Sequence, residues 1–370
     1  MSAMNKPKPV VLSQRGRAGL EFLGSLQSYA SSSIRDLARA AFDTDPDGKR
    51  LIAQRDRHGA NEPWDDRLKQ SRAVAEKYLS YRVERFYQRY VAEEVYVRGI
   101  PAAEERREEA EAFLKLKPGA TLGSLELDDG LAIPDWFEGV EWHLMPDGWD
   151  GYDLYGPVMA FGIGPLVFKQ GGYAAVESGD DIRQQRFDVV RQLHKPHYDR
   201  IFEPGCGSIP TLSVLADVFP DAALVGCDLS PLLLRNGHVL AQRLGIAVDL
   251  KQRNATDTGE PDDAFDAVVM YALQHEMPVD VNIDVFREMF RILKPGGEIV
   301  VSDPPPFKAV DPFTAVLLDW ETDHREEPFF TVTREVDWAD VMRDIGFCDV
   351  EAYPIGEKGY PYVQRGRKPE

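Results

Sequence analysis

Five short apolar runs alternate with amphipathic segments in the second half of the chain, and this alternation restricts the possible folds more than any other feature. The runs cover residues 200–203, 223–228, 247–251, 265–270 and 298–303. The segments between them repeat apolar residues every three or four positions, as amphipathic helices do. Apolar strands separated by helices are typical of a parallel sheet covered on both faces. The sequence therefore predicts an α/β domain at residues 181–370.

The end of the chain departs from this alternation. Residues 348–353 and 360–365 are predicted to form two strands that close the sheet as a hairpin. A helix precedes them, with Thr333 predicted as its N-cap and Gly346 as its end, and its apolar residues follow i, i+3, i+4, i+7 spacing: Trp338, Val341, Met342 and Ile345. Dinucleotide-binding folds do not usually finish in a hairpin, so this feature helps to identify the domain.

The first half, residues 1–180, is predicted to be a mainly helical domain. Apolar residues recur at helical spacing and predict one apolar face, formed by Val83, Phe86, Tyr87, Tyr90, Val91 and Val97. Pro101 is predicted to interrupt this helical part. Residues 136–173 then intersperse aromatic residues with glycine and proline. This segment either covers a ligand or packs the helical part against its neighbour.

Charge and cysteine content exclude several classes of function. The chain has 43 basic and 62 acidic residues, a net charge of −19, and this field disfavours nucleic acid and anionic membranes as partners. The three cysteines form no Cys-x-x-Cys pair, and His194 and His197 have no carboxylate cluster at ligand spacing, so neither a disulfide nor a metal site is predicted. These features, with no signal-like apolar stretch at the start, favour the cytoplasm.

Residues 201–210 read as a strand that runs into a glycine turn and then a helix. Gly205 and Gly207 allow a sharp turn and close approach of a ligand. Pro210 stands where a dinucleotide fingerprint has its third glycine, which disfavours a nicotinamide cofactor. Asp228, at the end of the next strand, is placed to accept hydrogen bonds from ribose hydroxyls.

Four motifs in this order resemble the class I S-adenosylmethionine-dependent methyltransferases. They are Glu203-Pro204-Gly205-Cys206-Gly207, Asp228, Phe265-Asp266 before a strand and Lys294-Pro295-Gly296-Gly297 before another. The resemblance covers about half of the chain, residues 181–370. It implies a Rossmann-like sheet of seven strands that binds S-adenosylmethionine across the carboxyl ends of the strands.

The resemblance also implies which residues bind the cofactor. The loop of residues 203–207 would hold the methionine part and Asp228 the ribose. Leu229, Asn254 and Ala255 would lie beside the adenine, although the family often has Asp where this chain has Asn254. Met270 and Tyr271, at the end of the fourth strand, would face the sulfonium.

For catalysis, the resemblance places His275 as a general base just past the fourth strand, with Glu276 orienting it. The acceptor would be a small molecule, bound by Tyr152, Tyr155, Tyr173 and Asp303. Oxygen is favoured as the methylated atom. Nitrogen, sulfur and carbon stay open, because the His-Trp-Asp signature of small-molecule O-methyltransferases is not found after the fifth strand.

Two other functions compete with this hypothesis. A non-catalytic cofactor-binding or assembly subunit is disfavoured, because such a subunit need not keep the glycine loop and Asp228. A nicotinamide oxidoreductase is disfavoured by Pro210 and the terminal hairpin. The resemblance to O-methyltransferases, some of which dimerise through a helical domain, also leaves a homodimer open.

Overall fold

The structure is a computed structural model that describes residues 12–55, 63–116, 122–171, 182–356 and 359–370. Its first half is mainly helical, as predicted. The helices there are α1 (Gln14–Tyr29), α2 (Arg35–Thr44), α3 (Pro46–Ala53), α4 (Trp64–Ala75), α5 (Leu79–Glu104), α6 (Arg107–Leu114), α7 (Tyr155–Val158) and α8 (Lys169–Gly171). Two π-helical segments, Ala30–Ile34 and Met159–Phe168, continue α1 and α7. No helix in the described ranges is long and apolar enough to cross a membrane.

The second half alternates strands and helices. One strand, β1 (Ser124–Glu126), lies in the first half. The strands of the second half are β2 (Arg200–Pro204), β3 (Ala223–Asp228), β4 (Val248–Gln252), β5 (Phe265–Tyr271), β6 (Leu293–Asp303), β7 (Cys348–Pro354) and β8 (Tyr362–Arg367). The helices are α9 (Ile182–Val190), α10 (Pro210–Val218), α11 (Pro231–Leu244), α12 (Val279–Ile292), α13 (Pro312–His324), α14 (Phe330–Arg334) and α15 (Trp338–Ile345). The predicted strands are confirmed to within a few residues. The main difference is β6, which begins at Leu293 and includes the Lys294-Pro295-Gly296-Gly297 turn.

The sheet has eight strands in the order β1-β4-β3-β2-β5-β6-β8-β7. Strands β1 to β6 pair in parallel, and β8 is antiparallel to both β6 and β7, which confirms the terminal hairpin. The chain moves outward in one direction from β2 and in the other from β5. The crevice between the carboxyl ends of these two strands is where open α/β sheets bind ligands.

The eighth strand, β1 (Ser124–Glu126), was not predicted and comes from the first half of the chain. It pairs in parallel with β4 at the edge of the sheet, and the Ser124 hydroxyl donates to Asp249 Oδ1 at 2.7 Å. A three-residue edge strand with Leu125 as its one apolar residue has no periodicity that a pattern could detect. The two halves of the chain therefore share one sheet.

The sheet is covered on both faces by separate apolar clusters. Alternate residues of each strand point in opposite directions. Ile201, Leu224 and Val269 pack on one side, whereas Phe202, Val225 and Met270 pack on the other. This pattern confirms a sheet buried between helices. Because β2 to β5 are parallel, the loops that follow them lie at the same edge of the sheet, where the crevice opens.

The predicted apolar face of the first half is wrong in part. Phe86 and Val97 lie on α5 but have 62% and 63% of their surface exposed, and the buried side of the helix carries Glu84, Arg85 and Gln88. These polar residues are buried because they pair with one another and with Arg35 of α2. Pro101 lies inside the last turn of α5 and does not interrupt it.

The start of the last helix also differs from the prediction. Asp337 is the N-cap of α15, while Thr333 lies in the short helix α14, where its hydroxyl donates to the carbonyl of Phe329 at 2.7 Å. The apolar spacing begins only at Trp338, so the pattern gave no signal of the break between the two helices. Gly346 ends α15 with a φ of 120°, as predicted.

Candidate active site

A cavity of about 620 Å³ opens at the carboxyl ends of β2, β3 and β5. Its floor is formed by the loops after these strands, which carry Gly205, Asp228 and His275. Its other walls come from α5 and from the aromatic segment, including Tyr96 and Trp149. The crevice of the sheet domain is therefore covered by the first half of the chain.

The glycine loop takes the form that the sequence predicts. Gly205 and Gly207 have φ values of 62° and 51°, a conformation that glycine adopts without strain. The amide of Gly207 donates to Asp228 Oδ2 at 2.8 Å and so ties the loop to the end of β3. A Cβ atom at Gly207 would project into open space, 3.9 Å from its nearest neighbour, Leu233. Gly205, Cys206 and Gly207 all line the cavity, and the open space beside Gly207 leaves room for a ligand.

Asp228 is oriented by two backbone amides. In addition to the bond from Gly207, its Oδ1 accepts from the Ser230 amide at 2.9 Å. Burial raises the pKa of Asp228 to about 6, and the two amides limit the rise. A carboxylate oxygen accepts two hydrogen bonds, so each oxygen of Asp228 retains one acceptor position. These positions on a cavity wall fit a ribose diol.

Glu203 offers a second buried carboxylate at the same end of the cavity. Its surface is 2% exposed, and burial raises the pKa of Glu203 to about 8, against the lowering effect of the Thr211 hydroxyl and of Arg186. Within the described part of the chain, Glu203 Oε2 has no hydrogen-bond partner. A buried acceptor without a donor is costly, so this atom fits a ligand that brings an ammonium group.

The other predicted cofactor residues divide into two groups. Leu229, Asn254, Ala255 and Tyr271 line the cavity. Met270 is fully buried in the core on the opposite face of the sheet, and Pro204 is buried at the end of β2. Met270 was placed wrongly because neighbouring residues of a strand face opposite sides, and Tyr271 occupies the side towards the ligand.

His275 lies on the cavity wall behind the end of β5. Its Nδ1 is 3.0 Å and 3.1 Å from the two carboxylate oxygens of Asp303, so Nε2 is directed away from this contact. Asp303 also accepts from the Gln274 amide at 2.9 Å and pairs with Arg334 at 2.7 Å. Burial opposes the charged form of His275, but Asp303 outweighs it and the pKa of His275 is raised. The arrangement fixes the orientation of the imidazole.

Asp303, predicted to bind the acceptor, does not line the cavity. Its side chain is fully buried, and its partners His275, Gln274 and Arg334 occupy both carboxylate oxygens. The pKa of Asp303 is lowered, since His275 and Arg334 overcome the effect of burial. The residue acts behind His275. Arg334 was not foreseen, because nothing in its local sequence indicates a buried contact.

The three tyrosines predicted to bind the acceptor differ in position. Tyr155 lines the cavity, with 8% of its surface exposed and its ring edge-on to Trp149 at 5.7 Å. Tyr152 instead donates from its hydroxyl to Glu104 Oε1 at 2.8 Å in an exposed contact, so its prediction is wrong. Tyr173 lies outside the described residues.

A further cluster on the cavity wall was missed by the sequence analysis. His143 Nε2 lies 3.1 Å from Glu276 Oε1, and His143 Nδ1 lies 2.5 Å from Glu327 Oε1. Burial alone would lower the pKa of His143. The two carboxylates have the larger effect, so the pKa of His143 is raised above its usual value. Glu276 is closer to His143 than to His275, whose Nε2 is 3.8 Å away. These residues are far apart in sequence, and no spacing connects them.

Comparison with known proteins places the match in the sheet domain. Residues 201–297 match the family described as "Methyltransferase domain". A demethylmenaquinone methyltransferase of Thermus thermophilus is 32% identical over 128 residues, 35% of this chain and 57% of that protein. Phosphoethanolamine N-methyltransferase 1 of Arabidopsis thaliana is 28% identical over 31% of this chain and 23% of that protein. The chain thus spans less than two thirds of the length of each of these relatives.

Among solved structures, an O-methyltransferase family protein from Burkholderia thailandensis aligns with a TM-score of 0.42 and 21% identity, over 54% of this chain and 60% of that one. The matched residues 201–297 include the glycine loop, Asp228 and the strands β2 to β5 that form the crevice. Without β1, the sheet has the seven strands that the resemblance implied and the terminal hairpin that the sequence pattern predicted. The match to a methyltransferase domain therefore falls on the part of the sheet that carries the glycine loop and Asp228.

Proposed function

We propose that the chain is an enzyme that binds S-adenosylmethionine in this cavity and transfers its methyl group to a small-molecule acceptor. One observation carries the proposal. A single cavity connects the two buried carboxylates, Glu203 and Asp228, with His275 and an aromatic wall. A cofactor end and an acceptor end are thus contiguous in one cavity.

At the cofactor end of the cavity, S-adenosylmethionine would be held by carboxylate oxygens that can accept further hydrogen bonds. The bound cofactor would supply an electrophilic methyl group on a positive sulfur. Glu203 Oε2 would accept from its ammonium group, and Asp228 from its ribose hydroxyls. Leu229 and Ala255 would flank the adenine, with the Asn254 amide available to its polar edge.

The acceptor end combines an aromatic wall with one oriented imidazole. Trp149 and Tyr155 exclude water from the reacting groups, which helps a displacement that depends on alignment. His275 would take a proton from a hydroxyl acceptor through Nε2, while Asp303 holds Nδ1. A base is needed when the nucleophile carries a proton, so this arrangement favours oxygen as the methylated atom. The relatives named for demethylmenaquinone and phosphoethanolamine support a small acceptor.

Calorimetry with S-adenosylhomocysteine and with NADH tests the cofactor. The wild-type protein should bind S-adenosylhomocysteine and not NADH. Asp228→Asn should weaken binding by about 2 kcal/mol, because a charged acceptor is lost. Gly207→Val should abolish binding, since its side chain would project into the cavity. Asp249→Asn is the control and should bind normally, because Asp249 lies on β4 and does not line the cavity. Normal affinity in both cavity variants would disprove the assignment.

Activity profiling with labelled cofactor and a metabolite extract tests catalysis and distinguishes an enzyme from a non-catalytic binding subunit. His275→Ala should lower the turnover number by about 100-fold or more and leave S-adenosylhomocysteine affinity nearly unchanged. A variant with normal turnover would remove His275 from the chemistry. Tight cofactor binding without any labelled product would favour the non-catalytic alternative.

A further inference from the structure

We infer that His143, Glu276 and Glu327 form a binding site for one divalent first-row transition-metal ion in the wall of the cavity. One potential ligand atom from each residue lies within 4.8 Å of the other two. The side chains come from three separate parts of the fold: the aromatic segment, the loop after β5 and the segment between α13 and α14. The ion would therefore link the first half of the chain to the sheet domain.

The strongest indication of a missing partner is Glu327. Its surface is 1% exposed, and neither of its carboxylate oxygens accepts a hydrogen bond from any described residue. Oε1 approaches His143 Nδ1 at 2.5 Å without hydrogen-bond geometry, and Oε2 has no partner of that kind at all. Burying a carboxylate in this way is expensive unless a cation offsets the cost. A metal ion that binds the carboxylate would satisfy both oxygens.

The distances and charges suit such an ion. His143 Nε2 and Glu276 Oε1 are 3.1 Å apart. Two ligands of a tetrahedral zinc site, each about 2.1 Å from the metal, lie about 3.4 Å from each other. A carboxylate oxygen of Glu327 lies within 4.8 Å of the ligand atoms of the other two residues, so it would have to move closer to join them. On binding the metal, His143 would give up the proton that its raised pKa favours, and the two carboxylates with the neutral imidazole then carry two negative charges, which a divalent cation balances.

The ligand types favour particular metals. An imidazole nitrogen with carboxylate oxygens suits Zn²⁺, Mn²⁺, Fe²⁺ or Co²⁺, whereas Mg²⁺ prefers oxygen ligands alone. His143 and Glu276 line the cavity, so positions left open on the ion would face it. The metal site does not depend on the proposed function. If the chain is a methyltransferase, the open positions would bind an oxygen of the acceptor, which deepens that proposal.

Metal titration of the full chain after chelator treatment tests the inference. Calorimetry should show that Zn²⁺ and Mn²⁺ each bind with one ion per chain. The affinity for Mg²⁺ should be lower by about tenfold or more. His143→Ala and Glu327→Gln should each reduce Zn²⁺ affinity by about tenfold or more. Loading with Co²⁺ should give visible absorption bands that both variants lose.

His197→Ala is the matched control, because His197 Nε2 also lies 3.1 Å from a carboxylate, that of Asp199, but on the exposed surface. It should bind Zn²⁺ like the wild type. Absence of stoichiometric binding, or unchanged affinity in His143→Ala, would overturn the inference. Circular dichroism and S-adenosylhomocysteine binding establish that each variant is folded. If Glu327→Gln does not fold, His143→Ala decides. Cofactor binding is read separately, so failure of the metal site and of the proposed function are distinguishable.

Discussion

At the scale of single residues, the cofactor end of the cavity is defined by two carboxylates in different surroundings. Burial is the main influence on both, and it raises the pKa of Glu203 to about 8 and that of Asp228 to about 6. The difference has a local cause. Asp228 receives two backbone amides, whereas Glu203 keeps one oxygen without a partner among the described residues. Of the two, Glu203 has more to gain from a ligand that carries positive charge.

The raised pKa of Glu203 predicts how stability depends on pH. Between its usual pKa of 4.5 and about 8, the folded state binds a proton that the unfolded state releases. The free energy of unfolding should therefore fall as pH rises through this window, with a contribution approaching about 1.4 kcal/mol per pH unit from this residue. Below pH 4.5 both states are protonated and the contribution is constant.

Glu203→Gln should remove this dependence, because an amide does not titrate. Urea unfolding at pH 5, 6.5 and 8 should give a variant that gains stability relative to the wild type as pH rises, by a few kcal/mol in all. The exposed Glu138→Gln serves as control and should follow the wild-type curve. Parallel curves for Glu203→Gln and the wild type would refute the prediction.

At the scale of elements, α5 is held to its neighbours by a buried ion network. Glu84, 1% exposed, accepts from Arg35 Nε at 2.9 Å and from Arg85 Nη2 at 2.8 Å. Arg85 also lies over the ring of Trp320 at 4.7 Å. Burial opposes the ionisation of Glu84, but the two arginines outweigh burial and lower the pKa of Glu84 to about 2. The carboxylate is thus charged and compensated inside the protein.

Removing this charge should be strongly destabilising. Glu84→Gln removes the carboxylate charge that the two buried guanidinium groups share, and breaking a buried pair of this kind costs about 3–5 kcal/mol. Urea unfolding measures the loss. Glu93→Gln on the same helix is the control, because Glu93 pairs with Arg89 in an exposed contact worth about 0.5 kcal/mol or less. Equal effects of the two substitutions would show that the buried network does not stabilise the helix.

The aromatic segment allows a paired test, because the structure separates two tyrosines that the sequence analysis treated alike. Tyr155→Leu should raise the KM of the acceptor or lower the turnover number, since Tyr155 forms part of the cavity wall. Tyr152→Leu should leave both nearly unchanged, because its hydroxyl contacts Glu104 at the surface. Neither should alter S-adenosylhomocysteine affinity. Kinetics per folded molecule that are normal in Tyr155→Leu would assign the residue to packing alone.

Prediction from the sequence succeeded where an element carries its own signal. The apolar strands and the glycine loop, including Gly205 and Gly207, follow from residue type and spacing. The edge strand β1 did not, because its position depends on pairing with β4. The buried side of α5 was also missed, since burial of Glu84 depends on Arg35 from another helix. The cluster around His143 was invisible for the same reason.

At the scale of the whole molecule, the two halves are joined by contacts of several kinds. Strand β1 extends the sheet, and the Ser230 hydroxyl donates to Asp150 Oδ1 at 2.6 Å. Arg243 of α11 donates from Nε to the carbonyl of Phe113 at 2.8 Å. Leu233, also from α11, packs in one apolar cluster with residues of α1 and α5. The division into domains at residues 180 and 181 remains a prediction, and these contacts suggest that the parts unfold together.

This coupling predicts that a ligand of the sheet domain stabilises the helical half as well. S-adenosylhomocysteine at 100 times its Kd should add about 2.7 kcal/mol to the free energy of unfolding. Because Val91, Val95 and Tyr96 of α5 line the same cavity, hydrogen exchange should slow in α5 as well as in the loop after β2. Asp228→Asn, which should bind the ligand about 30-fold more weakly, provides the control: at the same ligand concentration it should keep only about 0.9 kcal/mol of the stabilisation and show correspondingly less protection. Protection confined to residues 182–370, with a separate ligand-independent melting transition for the helices, would instead mean that the two halves fold as independent units.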